Sequence, residues 1–248
     1  DFSASLCAEA VGADTLEIWT DVAGVYTTDP RIVPDAFPIH EISFDEAAEL
    51  SVFGGKVLHP ATLKPAIRGG VNVRVASSSD PEKPGTFIVK EAEKKPAIRA
   101  ISLRKDQTLL TVNSLEMLHQ HGFLAHLFKV LAENKISVDL VSTSEVSVAL
   151  TLDTAVNAAN KVELTDKVLK ELRRFSEVVV EEELALVALI GNNMQKTSGL
   201  GGPLFTALEK YNVRLICHGA SPNNLCFLID HEQAEEVVRM LHKKFITE

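Results

Sequence analysis

Residues 122–153 carry a pattern that returns, shifted by 77 positions and without a gap, over residues 199–230. Leu127 falls on Leu204, Phe128 on Phe205 and Leu131 on Leu208; Ile136 falls on Val213 and Val138 on Leu215; Leu150, Leu152 and Asp153 fall on Phe227, Ile229 and Asp230. The matches run first at helical spacing and then at the alternating spacing of a strand. Chance does not hold both periods in register, so the second half of the chain is read as two copies of one supersecondary unit. Each copy reads strand, glycine turn, helix, strand, hairpin, strand, helix, the βαββαβ order of a ferredoxin-like sandwich. The second helix is expected over 164–175 in one copy and 232–245 in the other, where Ala234, Val237, Val238, Leu241 and Phe245 share a face. The later copy runs out of residues before its last strand, and an open sheet edge needs a cover. Residues 98–104, upstream of the first copy, are expected to cross over and supply it. The units are then 97–183 and 184–248, the second completed by 98–104.

Residues 1–90 have a different texture. A helix is expected over 1–11, with Asp1 at its N-cap, an apolar face of Leu6, Cys7, Ala10 and Val11, and Gly12 as its stop. A buried strand over 16–19 leads to Thr20-Asp21, and a loop rich in turn formers covers 24–38. A helix over 44–53 opens near Ser43, carries Asp45 and Glu46 in its first turn and ends at Gly54-Gly55. A helix over 62–67, strands over 71–75 and 87–89, and a charged linker over 91–96 complete this part. The fold class is α/β.

The formal net charge of −9 argues against a nucleic-acid or anionic-membrane surface, since both reward a basic patch. No apolar run approaches the roughly 20 residues that span a bilayer, and no basic segment leads into an apolar one at the start, so no membrane partner and no signal peptide are expected. Cys7, Cys217 and Cys226 show no metal-ligand spacing; all three lie in apolar stretches and are expected to be buried, reduced thiols of a cytoplasmic protein.

Thr20-Asp21 at the carboxyl end of a strand is well placed to exchange hydrogen bonds with a nucleotide. Tyr26 offers a ring for a base, Arg31 a planar fork and Lys56 a point charge for phosphate oxygens. Gly54-Gly55 lets backbone amides approach an anion. An Asx turn at Asp21, a core-edge Tyr26 and a solvated Lys56 satisfy the same string, so chemistry alone leaves both readings open.

The strings Trp19-Thr20-Asp21, Val25-Tyr26-Thr27-Thr28-Asp29-Pro30-Arg31 and Lys56-Val57-Leu58-His59-Pro60-Ala61-Thr62 closely resemble the aspartokinases, and Asp1-Phe2-Ser3-Ala4 resembles the end of their Gly-Gly-Ser-Asp-Tyr-Ser signature. Gly122-Phe123-Leu124-Ala125, Ser137-Val138-Asp139-Leu140 and the run from Leu150 to Asp153 are most similar to the lysine-inhibited class. The resemblance implies a partial amino-acid-kinase-type α/β domain over 1–90, followed by two ACT domains of ferredoxin-like fold. It implies transfer of the ATP γ-phosphoryl group to the β-carboxylate of L-aspartate, with Mg²⁺ across the phosphates. Thr20, Asp21 and Tyr26 would contact adenosine, Arg31 and Lys56 would lie along the phosphates, and Asp1 would sit at the edge of the active site or serve only as a helix cap. The family usually has Gly-Ala-Lys where this chain has Gly54-Gly55-Lys56. Its Lys-Phe-Gly-Gly-Thr-Ser motif, and the acidic residue and arginine that hold aspartate, have no counterpart here. The chain is therefore expected to be part of a larger catalytic unit and inactive alone.

The two copies differ where ligand chemistry would sit. In the first, Gly122 opens a helix whose free amides suit a carboxylate, and Asp139 and Glu145 provide negative charge for ammonium groups. The register equivalents in the second copy are Ile216 and Pro222, while Gly199 stands for Gly122. The resemblance implies a lysine site of Met117, His119, Gly122, Phe123, Leu124, Ser137, Val138, Asp139, Ser144 and Glu145; Gln120 replaces a family Ser. Without it, Asp139 also reads as a strand-edge residue paired with a nearby Lys, and Glu145 as a hairpin-turn carboxylate. ACT domains commonly pair across a two-fold axis, so a homodimer is expected. The competing reading is a non-catalytic regulatory subunit or fragment that senses an amino acid; the Thr20-Asp21, Arg31 and Lys56 strings favour the kinase.

Overall fold

The computed structural model describes residues 1–55, 58–118, 121–152 and 164–246. Helix α1 (Phe2–Val11) stops at Gly12, whose φ of 63° places its amide against the carbonyls of Ala8 and Glu9. Asp1 occupies the N-cap position, but its side chain caps nothing. Strand β1 (Thr15–Thr20) follows. The short strand β2 (Glu41–Ser43), which carries no alternating pattern long enough to be read from sequence, leads into α2 (Phe44–Val52). There Ser43 and Glu46 form a reciprocal capping box. Helix α3 (Pro60–Gly69) begins with the His59 ring accepting from the Ala61 amide. Strands β3 (Asn72–Ser77) and β4 (Thr86–Val89) complete a sheet ordered β1-β3-β4-β2. β1 and β3 are parallel, with Thr20 opposite Ser77 at their carboxyl ends.

The remaining elements are β5 (Ala100–Asn113), α4 (Phe123–Glu133), β6 (Val138–Thr143), β7 (Ser147–Leu152), α5 (Asp166–Leu172), β8 (Glu177–Ile190), α6 (Gly201–Ala207), β9 (Leu215–His218), β10 (Asn224–Asp230) and α7 (Ala234–Phe245). Among the described residues they form one antiparallel sheet ordered β6-β7-β5-β8-β10-β9. β5 and β8 are 14 residues each, more than twice the usual strand of about 5–6 residues. Each serves both repeats. Thr108–Asn113 of β5 pairs with β7, while Ala100–Arg104 lies against Leu186–Ile190 of β8, which in turn pairs with β10. The strand at the outer edge of the second repeat thus comes from upstream of the first. Between the halves the register slips around Gln107, and Asp106 and Glu183 take positive φ of 58° and 57°.

Leu127 and Leu204, Leu131 and Leu208, Leu150 and Phe227, and Leu152 and Ile229 are all buried, each pair in the same place in its own core. Phe128 and Phe205 depart from this: one is half-buried and the other 43% exposed. On the opposite face of the sheet, Ala188, Cys226 and Leu228 join Ala47, Leu50 and Phe53 of the first part in a shared cluster. The expectation for the cysteines is corrected. Only Cys226 is buried, where desolvation raises its thiol well above the ordinary value; Cys217 is half-buried, and Cys7 faces solvent because α1 packs on α3 through Ser5 instead. The 91–96 segment is packed rather than free: Ala92 is buried and the Glu93 amide donates to Glu41.

Candidate functional site

The carboxyl ends of the parallel strands β1 and β3 form a polar edge. The Ser78 amide and hydroxyl both donate to the Thr20 carbonyl, at 2.7 and 3.0 Å. The hydroxyls of Ser77 and Ser79 lie 2.9 Å apart, and Thr20 donates to the Asp21 carboxylate at 3.1 Å. In open α/β sheets the crevice outside the carboxyl ends of parallel strands is where ligands bind, and Asp21, exposed, is the first residue after β1 at that edge. The serine run was not singled out from the sequence, because only the β1–β3 register brings it beside Thr20.

Tyr26 is half-buried and bridges to Pro38 across the loop between β1 and β2. Arg31 is exposed, and its fork is engaged by Asp29 through Nε at 3.0 and 3.1 Å and through Nη2 at 2.6 Å. The hydrogen bonds from Arg31 hold the Asp29 carboxyl below its usual range and raise the guanidinium in return. Arg31 therefore carries a carboxylate in the position expected for phosphate. Gly54 has a φ of 118°, and a Cβ there would lie 2.8 Å from the Leu103 carbonyl. Its glycine is explained by the close approach of β5, not by an anion. Asp1 is exposed. Lys56 lies outside the described residues, as does His119.

On the first repeat, Gly122 holds a φ of 91° at the start of α4, with Phe123 buried edge-on to Phe175 at 5.6 Å and Leu124 exposed. Met117 is half-buried in the turn before it. The β6–β7 turn sits at the same end of the sheet, since the Ser114 amide donates to the Val146 carbonyl at 2.9 Å. In that turn Ser144 accepts from the amides of Val146 and Ser147, and Glu145 is exposed. Ser137, Val138 and Asp139 lie at the other end of β6, opposite Leu152. Six residues of largely extended chain, at most roughly 20 Å, separate Asp139 from Glu145. Asp139 thus stands at the start of β6 and Glu145 in the turn beyond its end. Asp139 is bonded to Arg104 of β5, whose Nη1 also reaches the Val52 carbonyl at 3.4 Å. Arg104, 35 residues away in sequence, was not anticipated as a partner.

On the second repeat Gly199 repeats the left-handed turn with a φ of 81°, but Ile216 and Pro222 are exposed and uncharged. This repeat is bonded to the first part of the chain instead. Glu46, fully buried, accepts from Arg99 Nε at 2.5 Å and Asn192 Nδ2 at 2.7 Å. Glu49, one turn on, accepts from Ser221 and Asn224.

Comparison with known proteins follows the same division. The amino acid kinase family model matches residues 1–77, and an ACT domain model matches residues 187–245. The lysine-sensitive aspartokinase 3 of Escherichia coli is 55% identical over 243 residues, which cover 98% of this chain and 54% of that protein. The chain spans about half the length of the curated relatives it matches. The crystal structure of E. coli aspartokinase III with aspartate and ADP superposes with a TM-score of 0.91 at 53% identity, covering 99% of this chain and 55% of that one. The structure of the same enzyme with lysine and aspartate gives 0.88 at 54% identity, with the same coverage.

Proposed function

We infer, from the premise that this chain belongs to the aspartokinase family, that it supplies the nucleotide side of an aspartate kinase together with its lysine-responsive regulatory half. The reaction is transfer of the ATP γ-phosphoryl group to the β-carboxylate of L-aspartate. The observation that carries this reading is continuity: the 55% identity runs across 98% of the chain, through both sheets without a break in family.

Phosphoryl transfer asks mainly for positioning and neutralisation of charge. In this reading Thr20 and Asp21, with the serine turn beside them, take hydrogen bonds from adenosine, and Tyr26 packs against it. Arg31 and Lys56 lie along the phosphates, and Asp1 borders the site. Arg31 exchanges Asp29 for phosphate oxygens, which offer the same two-pronged geometry. Among the described residues no group of three His, Cys, Asp or Glu could hold a metal by itself. Mg²⁺ would arrive on the phosphates of the nucleotide and neutralise charge there.

Residues 97–183 form the effector-binding ACT domain and 184–248, with 98–104, the second. L-lysine, with one carboxylate and two ammoniums, matches the helix N-terminus at Gly122 and the acids Asp139 and Glu145. Because these lie at opposite ends of β6, the site is completed in a homodimer. Antiparallel apposition of two β6 edges brings the start of one strand beside the end of the other across a two-fold axis. The protein works in the cytoplasm, away from nucleic acid and membrane.

Calorimetric titration of the purified chain tests the sensor: L-lysine is expected to bind once per chain and L-threonine not at all, and a folded chain that takes up no lysine overturns it. Aspartyl hydroxamate formation tests the kinase. It is expected from the full-length protein and not from these residues alone; a full-length protein without it is not an aspartate kinase.

A further inference from the structure

The loop between β1 and β2 carries Tyr26 and Arg31, and at about 20 residues it is longer than most structureless connections. Its order comes from three sources, of which one is β4, whose Thr86 hydroxyl accepts from the Val25 amide at 2.8 Å and donates to the Ile39 carbonyl at 2.6 Å. Within the loop, the Thr27 amide donates to the Phe37 carbonyl at 3.0 Å, the Phe37 amide donates to the Thr27 hydroxyl at 3.3 Å, and the Ile39 amide donates to the Val25 carbonyl at 2.8 Å. The second repeat supplies the rest. The Ile101 amide of β5 donates to the Thr27 carbonyl at 2.8 Å, Arg239 Nε of α7 donates to the Ile32 carbonyl at 3.2 Å, and Val33 is sealed into the core under α7. At the centre stands His242 of α7, 5% exposed, with its Nε2 2.9 Å from the Thr27 hydroxyl and its ring edge-on to Phe37 at 6.4 Å.

Resting on the kinase reading above, we propose that His242 is a positioning residue for nucleotide binding, fixing through Thr27 and Phe37 the loop that presents Tyr26 and Arg31. The second repeat is then the mount of the nucleotide loop. Thr27 is 2% exposed, and its amide, carbonyl and hydroxyl are all bonded, so the adjacent Tyr26 inherits a determined backbone. A buried hydroxyl or imidazole left without its partner is costly, so the pair tolerates few other loop positions. Desolvation lowers the basicity of the imidazole and favours its neutral form, which keeps an acceptor or a single donor for Thr27.

The test is steady-state kinetics of the full-length enzyme with His242→Leu, His242→Gln and Thr27→Val. His242→Leu and Thr27→Val are expected to raise the KM for ATP roughly three- to tenfold, the size of one lost buried hydrogen bond. The KM for aspartate and the lysine concentration for half-inhibition should stay within twofold. His242→Gln, which keeps a polar nitrogen near the Nε2 position, should recover most of the loss, and the double variant should be no worse than either single one. A folded His242→Leu or Thr27→Val enzyme with unchanged KM for ATP overturns the proposal, as does an equal rise in both KM values with no rescue by Gln. Wild-type enzyme that fails to phosphorylate aspartate sinks the kinase reading instead, so the two failures are told apart.

Discussion

Leu127 and Leu204 hold equivalent places in the two repeats, both sealed from solvent, yet the strands that follow them carry Asp139 in one and Ile216 in the other. The interiors agree because each must fill the same space between two helices and half a sheet, and close packing tolerates little change of volume. The rims are under no such constraint and have separated. Both rims keep the glycine turn, but the first holds Asp139 and Glu145, and the second is tied down, its Arg99 and Asn192 on Glu46 and its Ser221 and Asn224 on Glu49. One sandwich is thus proposed to sense while its copy serves as a mount, which illustrates that function resides in the site grafted on a fold rather than in the fold.

The largest effect that would break this comparison is at the mount. Glu46→Ala leaves Arg99 buried without its partner and should cost about 3–5 kcal/mol in urea unfolding. A loss under about 1 kcal/mol would show that the second repeat is not clamped there. Asp139→Ala removes a charge-assisted contact from the proposed sensor and should weaken lysine binding by roughly 10- to 150-fold in calorimetry, with the fold intact by circular dichroism. Ile216→Asp should create no lysine site in the second repeat, and gain of one would mean the rims are interchangeable. Gly122→Ala and Gly199→Ala meet no atoms within 4 Å but strain a left-handed backbone. Each should lose about 1 kcal/mol of stability, equally in the two repeats, while only Gly122→Ala alters lysine affinity.

The smallest effect is in pH. His242 is held below its ordinary pKa of 6.5 mainly by burial, with Asp35 opposing. The unfolded chain therefore takes up this proton at higher pH than the folded one. The contribution is fully present above 6.5 and lost as pH falls through the folded value. Urea midpoints measured downward from pH 7 should decline less in His242→Gln than in the wild type.

Much of the architecture was legible because it is written in short periods. Leu127, Leu131, Leu150 and Leu152 announce a helix and then a strand by spacing alone, and the same spacing at Leu204, Leu208, Phe227 and Ile229 announces the copy. The candidate sites were legible as strings and much less as geometry. Asp139 and Glu145 read as charges beside one glycine turn, but the structure sets one at the start of β6 and the other in the turn beyond its end. Gly54-Gly55 read as an anion turn, whereas the reason for Gly54 is the Leu103 carbonyl from a strand some fifty residues on.

Hydropathy periods, turn residues and the 77-residue repeat are local quantities, so the chain by itself determined its helices, most of its strands, its two sandwiches and the chemical difference between their rims. The crossover of 98–104 into the second repeat was also legible, from an edge left without a strand; only the tertiary structure decided that Arg104 meets Asp139, that Glu46 is shared with Arg99 and Asn192, and that His242 holds Thr27 across 215 residues. Such partners are chosen when preformed surfaces pack, through shape and the need to satisfy buried polar groups, and neither leaves a mark in the spacing of neighbouring residues.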